Sequence, residues 1–143
     1  MILLDDYRKY WEALPARVPG IGEVMAVTVD DSMGARIKAL PKDSVTLFWL
    51  PPAGDGSRSR PDAFRDDSEC VVFVMERYDP QRRDAIDVLA GVQGVVEAMK
   101  ECMAADAAGC CLFRFDTRSF STLPETKFYA GFAGWSLGFR IEG

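Results

Sequence analysis

The sequence of 143 residues contains no histidine. Histidine is the side chain that most often moves protons near neutral pH, so its absence excludes serine and cysteine triads that use a histidine base. The chain also has no run of about 18 apolar residues, the length needed to cross a membrane, and its N-terminus lacks the basic start and long apolar segment of a signal peptide. We therefore expect a cytoplasmic protein with no membrane partner.

Basic residues are fewer than acidic ones, with 17 Lys and Arg against 22 Asp and Glu. The formal charge of -5 repels phosphate backbones unless basic side chains cluster on one surface. We therefore expect no nucleic-acid partner.

Cysteine is scarce, and its four positions are Cys70, Cys102, Cys110 and Cys111. Their spacing differs from the paired spacings of zinc sites, and three of them lie in strongly apolar segments, which favours buried, reduced thiols over a metal site or a disulfide. Cys110 and Cys111 follow the end of a predicted helix, whose partial negative charge disfavours a thiolate. No catalytic cysteine is predicted.

Three acidic pairs, Asp5-Asp6, Asp30-Asp31 and Asp66-Asp67, are candidates for carboxylate or metal chemistry. Neighbouring residues point in different directions on a helix or a strand, so a pair in sequence is not a pair in space, and turns and helix caps explain these acids better. The Gly20-x-Gly22 segment lacks the third glycine of a phosphate-binding loop and precedes a predicted strand. The sequence therefore predicts no catalytic, cofactor-binding or metal-binding residue.

Two amphipathic helices are predicted. Residues 3–14 place apolar side chains at spacings of three and four, with acids early and bases later. The second helix begins at Asp79-Pro80, as N-cap and first-turn proline, and extends to Ala108. Its apolar stripe consists of Leu89, Val92, Val96, Met99 and Met103, widened by Ile86, Val88, Val95 and Cys102. Because this stripe is wider than one sheet face requires, we expect the helix to contact a second surface.

Strands are predicted at residues 24–29, 45–50, 70–75 and 110–115, and at the alternating C-terminal segment 134–141. The second and third are continuous apolar runs, so they are expected to be central and buried. Pro124 is expected to lie in a loop. The order of elements predicts a single α+β domain over residues 1–143, with a mostly antiparallel sheet and the N-terminal and long helices packed on one face.

Two further segments lie outside these predicted elements. Residues 30–40 fit either a short helix or a second hairpin strand, and the sequence leaves both open. Residues 51–67 combine prolines, glycines and charges that do not bury themselves, so they are expected to form a projecting loop. Glycines 131, 134 and 138 in the last strand indicate a bulge or a close approach of another backbone.

In the order and size of its elements, the chain resembles bacteriophage tail-terminator and tail-completion proteins. The matching features are the helix at 3–14, the strand-loop-strand segment at 45–75, the helix at 80–108 and the last strand at 134–141. The resemblance covers most of the chain and implies a ring-forming structural protein that caps or joins a phage tail tube. It implies homo-oligomers, other phage structural proteins as partners and a place in the virion. No residue motif of the family is matched, so no functional residue is carried over.

The first functional hypothesis is a non-enzymatic structural or assembly protein that acts through self-association, without a cofactor. Its predicted interface residues are Arg58, Arg60, Arg65, Val88 and Val95. The alternative hypothesis is a small α+β binding module for a small ligand or a protein partner, with a groove between the last strand and the long helix. The predicted groove residues are Phe128, Tyr129 and Trp135. A third hypothesis, an enzyme using Asp, Glu, Lys or Tyr, has no positive support in the sequence.

Overall fold

The computed structural model describes residues 2–28, 33–55, 67–109, 113–127 and 131–142, and within these the side chains of all but residues 54 and 55. The described chain has an α+β fold, which confirms the predicted fold class. Its helices are α1 (Leu4–Ala13), α2 (Met33–Lys38) and α3 (Ala85–Ala108), and a single 3-10 turn, Leu14–Ala16, follows α1. Its strands are β1 (Ile21–Ala26), β2 (Val45–Trp49), β3 (Ala53–Asp55), β4 (Asp67–Arg77), β5 (Arg114–Glu125) and β6 (Phe132–Glu142).

The strands form one sheet in the order β1-β2-β4-β6-β5. Among the described residues, β1 and β2 run parallel and every other pairing is antiparallel. β2 and β3 lie end to end along one side of β4, because β6 pairs with the other side of β4 over its whole length. The mostly antiparallel sheet is thus confirmed, and β2 and β4 are interior strands, as their apolar runs predict.

The predicted loop at residues 51–67 is partly a strand. Ala53 lies opposite Glu69 and Asp55 opposite Asp67, so β3 extends the pairing of β2 along β4. Backbone hydrogen bonds make this pairing and require no apolar side chain, which is why the composition of the segment did not predict it. Residues 56–66 lie outside the described residues.

The main core lies between one face of the sheet and the two helices α1 and α3. Tyr7 and Trp11 of α1 and Leu14 of the following turn are buried there, at spacings of four and three. The buried residues of α3 are Val88, Val92, Val96, Met99 and Met103. Alternate residues of β4 and β6 complete the core, so the predicted packing of both helices on one face is confirmed.

The first helix differs from its prediction at its start. Leu3 and Leu4 are 68% and 51% exposed, although their spacing from Tyr7 and Trp11 suits the buried stripe. α1 begins only at Leu4, so both leucines lie at the end of the helix. The part of α1 that packs on the core begins further along, at Tyr7.

A second, smaller core lies on the opposite face of the sheet. Phe48 lies between Leu47 and Trp49 in β2, so its side chain points away from the main core and packs with Met75 and Phe132. Met33 and Ile37 of α2 and Leu40, which follows it, cover these side chains. The ambiguity of residues 30–40 is therefore resolved as a helix over Met33–Lys38. Residues 29–32 lie outside the described residues.

The long helix starts five residues later than the predicted Pro80. Its N-cap is Asp84, whose carboxylate accepts a hydrogen bond from the Ile86 amide at 3.1 Å. Asp79 caps the preceding turn instead, accepting from the Gln81 amide at 3.0 Å. Two local capping signals lie close together in the sequence, and the second one begins the helix.

Pro124 lies in β5, opposite Trp135, and not in a loop as predicted. β5 is at the edge of the sheet, where a residue without an amide hydrogen leaves no ladder bond unmade. Pro124 therefore indicates an edge strand and not a loop.

Candidate interaction surface

The most extensive polar cluster joins the end of α1 to the end of α3. Arg17 donates to both carboxylate oxygens of Asp106 at 2.7 Å, and the Tyr10 hydroxyl donates to the same carboxylate at 2.6 Å. The hydrogen bonds from Arg17 lower the pKa of Asp106, against the opposing effect of burial. Burial, followed by the bond to Asp106, raises the pKa of Tyr10. These groups satisfy one another, so the cluster fastens two helices and leaves no free acid or base.

A second polar cluster holds the segment after α2 against the sheet. Arg83 forms ion pairs with Glu76 and with Asp43, the latter at 3.0 Å. Arg77 donates at 2.7 Å to the carbonyl oxygens of Lys38, the last residue of α2, and of Leu40, two residues further on. Arginine is suited to such multiple contacts because its donors form a rigid fork. This cluster is also a structural link.

Three buried polar atoms have no hydrogen-bond partner in the described structure: the Tyr7 hydroxyl, the Trp11 indole nitrogen and the Thr46 hydroxyl. All three residues are fully buried, so no solvent path leads a substrate to them. The nearby Cys70 is a poor nucleophile, because burial raises the pKa of its thiol to about 11. These atoms belong to the core and do not form an accessible site.

Two surface depressions are shallow and open. One, of about 460 Å³, lies beside the end of α3 and is lined by Phe115, Asp116 and Arg118 among others. The other, of about 490 Å³, surrounds the turn before α3. In the first, the Asp116 carboxylate already accepts from the Arg118 amide at 3.1 Å. Neither encloses a ligand in the way that small-molecule sites do.

The described residues contain neither a metal-binding cluster nor a membrane-spanning helix. Within these ranges, no three His, Cys, Asp or Glu side chains lie close enough together to hold a metal ion. No helix of the described chain is both long and apolar enough to span a membrane.

Five predicted site residues lie outside the described residues. They are Arg58, Arg60 and Arg65 of the predicted interface and Phe128 and Tyr129 of the predicted groove.

Trp135 is half-buried between the last strand and the long helix. Its indole N–H donates to the Leu89 carbonyl oxygen at 2.9 Å, so the ring joins β6 to α3, the two elements between which the groove was predicted. Its neighbour Gly134 allows β4 to approach closely, because a Cβ there would overlap the carbonyl oxygen of Val74 and lie 2.8 Å from the Cα of Met75. Trp135 therefore fastens the helix to the sheet.

The two predicted interface residues on α3 also serve the fold. Val88 is fully buried in the main core, which corrects its placement at an interface, because no part of its side chain reaches the surface. Val95 is half-buried, and its methyl groups pack against the turn at Gly20. Most residues of the widened stripe therefore pack against the sheet or against the segment after α1.

The opposite side of α3 is exposed and carries a line of apolar and small residues. We define the outer face of α3 as the line Ile86, Ala90, Gly94 and Ala98, together with the acidic residues Asp87, Glu97 and Glu101 beside it. All are exposed, and Ile86 is 67% exposed. Sequence reasoning included Ile86 in the buried stripe and so missed this face. The signal was present, since four-residue steps from Ile86 follow a line roughly opposite Val92 on a helix of 3.6 residues per turn.

Comparison of the sequence with protein-family models finds no match, and comparison with curated proteins finds none either. No relative therefore supplies roles for individual residues. Among the described residues, the geometry offers an open apolar helix face and no enclosed polar site.

Proposed function

We propose that the chain is a non-enzymatic assembly protein that acts by binding copies of itself. The observation that carries this proposal is the outer face of α3, where a large apolar side chain, Ile86, stands 67% exposed at the start of a line of alanine and glycine. A helix on the surface of a monomer ordinarily presents charged and polar residues along this side. An exposed apolar line favours contact with another protein surface.

The distribution of polar groups supports the same function. The principal ion pairs of the described chain join one structural element to another, as Arg17 joins Asp106 and Arg83 joins Glu76. A catalytic site instead holds titratable groups in a cleft, where they can reach a substrate. These two clusters are thus accounted for by folding, and the outer face of α3 is a surface available for contact.

The resemblance to phage tail-terminator and tail-completion proteins gives the proposal a particular form, in which the assembly is a closed ring. A ring requires a heterologous contact, in which one surface of each copy binds a different surface of the next. A dimer requires only one surface that binds itself. The two forms differ in the number of copies, which a mass measurement separates.

Light scattering from the purified chain tests the proposal. We expect the weight-average mass to rise above the single-chain value of 15.9 kDa as the concentration increases toward the millimolar range. A plateau at two chains indicates a dimer, and a larger fixed number indicates a ring. A mass of one chain at every concentration would contradict self-association in either form.

A further inference from the structure

The exposed middle of α3 contains two glycines that the fold of the single chain does not require. Gly91 and Gly94 are helical, and apart from the neighbouring backbone of α3 itself no atom lies within 4 Å of the position that a Cβ would take at either residue. Glycine destabilises the interior of a helix relative to alanine, because it loses more backbone freedom on folding. Within the described chain no contact compensates for this cost. The close approach of a backbone from a second molecule would compensate for it.

The spacing along the outer face determines how such a backbone can fit. Ile86, Ala90 and Gly94 follow one another in steps of four, so they form one line along α3. If two α3 helices cross antiparallel with a twofold axis beside Ala90, Ile86 of each copy lies opposite Gly94 of the other. The exposed side chain of Ile86 then fills the space that Gly94 leaves open.

Charges at the two ends of the face select the antiparallel orientation. The Arg82 side chain, just before α3, is 86% exposed and lies 3.8 Å from Asp79. In the antiparallel arrangement the turn that carries Arg82 lies near the part of the second α3 that carries Glu97 and Glu101. Glu97 contacts Lys100 at 2.8 Å, whereas Glu101 has no ion pair within the described chain. A parallel pair would instead place like charges opposite each other at both ends.

We propose that the outer face of α3 binds the same face of a second copy, with the helices antiparallel, Ile86 packed on Gly94, and Arg82 beside Glu97 and Glu101. This inference rests on the proposed self-association and names its surface. The contact is isologous, so by itself it closes after two copies. A ring would need an additional, heterologous surface.

The first test compares one substitution at two exposed helical glycines. Gly94→Lys introduces a long charged side chain at the centre of the proposed contact, whereas Gly34→Lys makes the same change on α2, where no atom lies within 4 Å. In sedimentation equilibrium, we expect Gly94→Lys to weaken dimerisation by at least about tenfold and Gly34→Lys to leave it unchanged. Urea unfolding checks that both variants fold. Each is expected to be at least as stable as the unmodified chain, because lysine favours a helix more than glycine does.

The second test uses charge reversal and mixing. Arg82→Glu alone, and the double change Glu97→Arg with Glu101→Arg alone, each put like charges at both ends of the antiparallel contact, so each variant should self-associate roughly fivefold more weakly. A mixture of the two variants restores opposite charges at both ends. We therefore expect mixed dimers to form with an affinity close to that of the unmodified chain.

The outcomes separate this inference from the proposed function. If the unmodified chain dimerises but Gly94→Lys dimerises as well as Gly34→Lys, or the mixed variants fail to recover, the outer face of α3 is not the contact and self-association stands on another surface. If the unmodified chain remains a monomer at millimolar concentration, both the inference and the proposed function are overturned.

Discussion

Gly134 lies where β4 and β6 come closest, opposite Met75. A Cβ at this position would overlap the backbone oxygen of Val74, and backbone atoms of a central strand cannot move aside without breaking the sheet. The glycine is therefore required by packing. The sequence raised this possibility, since a glycine inside a strand indicates a bulge or a close backbone approach, but it could not identify the approaching strand.

Gly134→Ala is expected to lower the free energy of unfolding by about 1–3 kcal/mol, the usual range for an overpacked core position. The matched control is Gly34→Ala in α2, where the added methyl group meets no atom within 4 Å. That control should be neutral or stabilising by up to about 1 kcal/mol, from helix propensity. Urea unfolding measures both changes. Equal stability of the two variants would contradict the close contact between β4 and β6.

Tyr7 and Tyr10 lie one turn apart on α1, but their hydroxyl groups have different surroundings. The Tyr7 hydroxyl is buried beside the Cys70 thiol and makes no hydrogen bond of regular geometry in the described structure. Burial, followed by the proximity of Cys70, raises its pKa far above the ordinary value. The Tyr10 hydroxyl donates to Asp106. The apolar spacing of residues 3–14 includes Tyr7 and not Tyr10. It does not identify the surroundings of either hydroxyl group, because these come from residues far along the chain.

Removing the two hydroxyl groups should therefore have opposite effects. Tyr7→Phe removes a buried, unsatisfied group and is expected to stabilise the fold by up to about 1 kcal/mol, whereas Tyr10→Phe loses a hydrogen bond to a charged acceptor and should destabilise it by about 1–2 kcal/mol. Thermal and urea unfolding of the two variants provide the comparison. Strong destabilisation by Tyr7→Phe would show that its hydroxyl has a partner.

At the scale of elements, the link between α1 and α3 depends on pH. Hydrogen bonds from Arg17 lower the pKa of Asp106 from its ordinary value of 3.8. An acid whose pKa is lowered by folding stabilises the folded state above its unfolded pKa, and this contribution is lost as the pH falls through the folded value. The link should therefore be fully formed at neutral pH and lost in acid, below about pH 4.

Asp106→Asn tests this link. At pH 7 we expect a loss of about 1 kcal/mol, a modest value because the side chain of Arg17 is 44% exposed and the pair is partly screened by solvent. The difference from the unmodified chain should shrink as the pH falls below the ordinary carboxylate value of 3.8 and Asp106 becomes protonated. Glu12→Gln, at an exposed position of α1, is the control for loss of one negative charge. A difference that is the same at neutral pH and in acid would contradict the charged link.

Most elements were predictable from local sequence, and the exceptions have local causes. The stripe of α3 was predictable because it repeats over 24 residues, but its start was not, since Asp79 and Asp84 are equally good caps. Pro124 suggested a loop because a sheet accepts proline mainly in its edge strands. Which strand lies at the edge is set by the order of strands in the sheet, which the local sequence does not show. The predicted stripe agrees with the buried residues at Val92, Val96, Met99 and Met103. The outer face of α3 was missed because Ile86, which is 67% exposed, was included in the widened stripe.

At the scale of the whole molecule, the sheet separates two cores of unequal size. The larger lies under α1 and α3, and the smaller lies under α2. The order of elements predicted the α+β class, but not the parallel pairing of β1 with β2, because strand order is set by contacts between segments distant in sequence. The described chain thus uses one side of α3 for its own fold, and the other side is open to a second molecule.

The most direct test of the central claim, that this chain functions through contact between copies, is a native mass measurement of the unmodified protein over a wide concentration range. The account predicts that a species of twice the 15.9 kDa chain mass grows with concentration, with larger closed assemblies only if a second contact exists. A single-chain mass persisting at the highest concentration would contradict it.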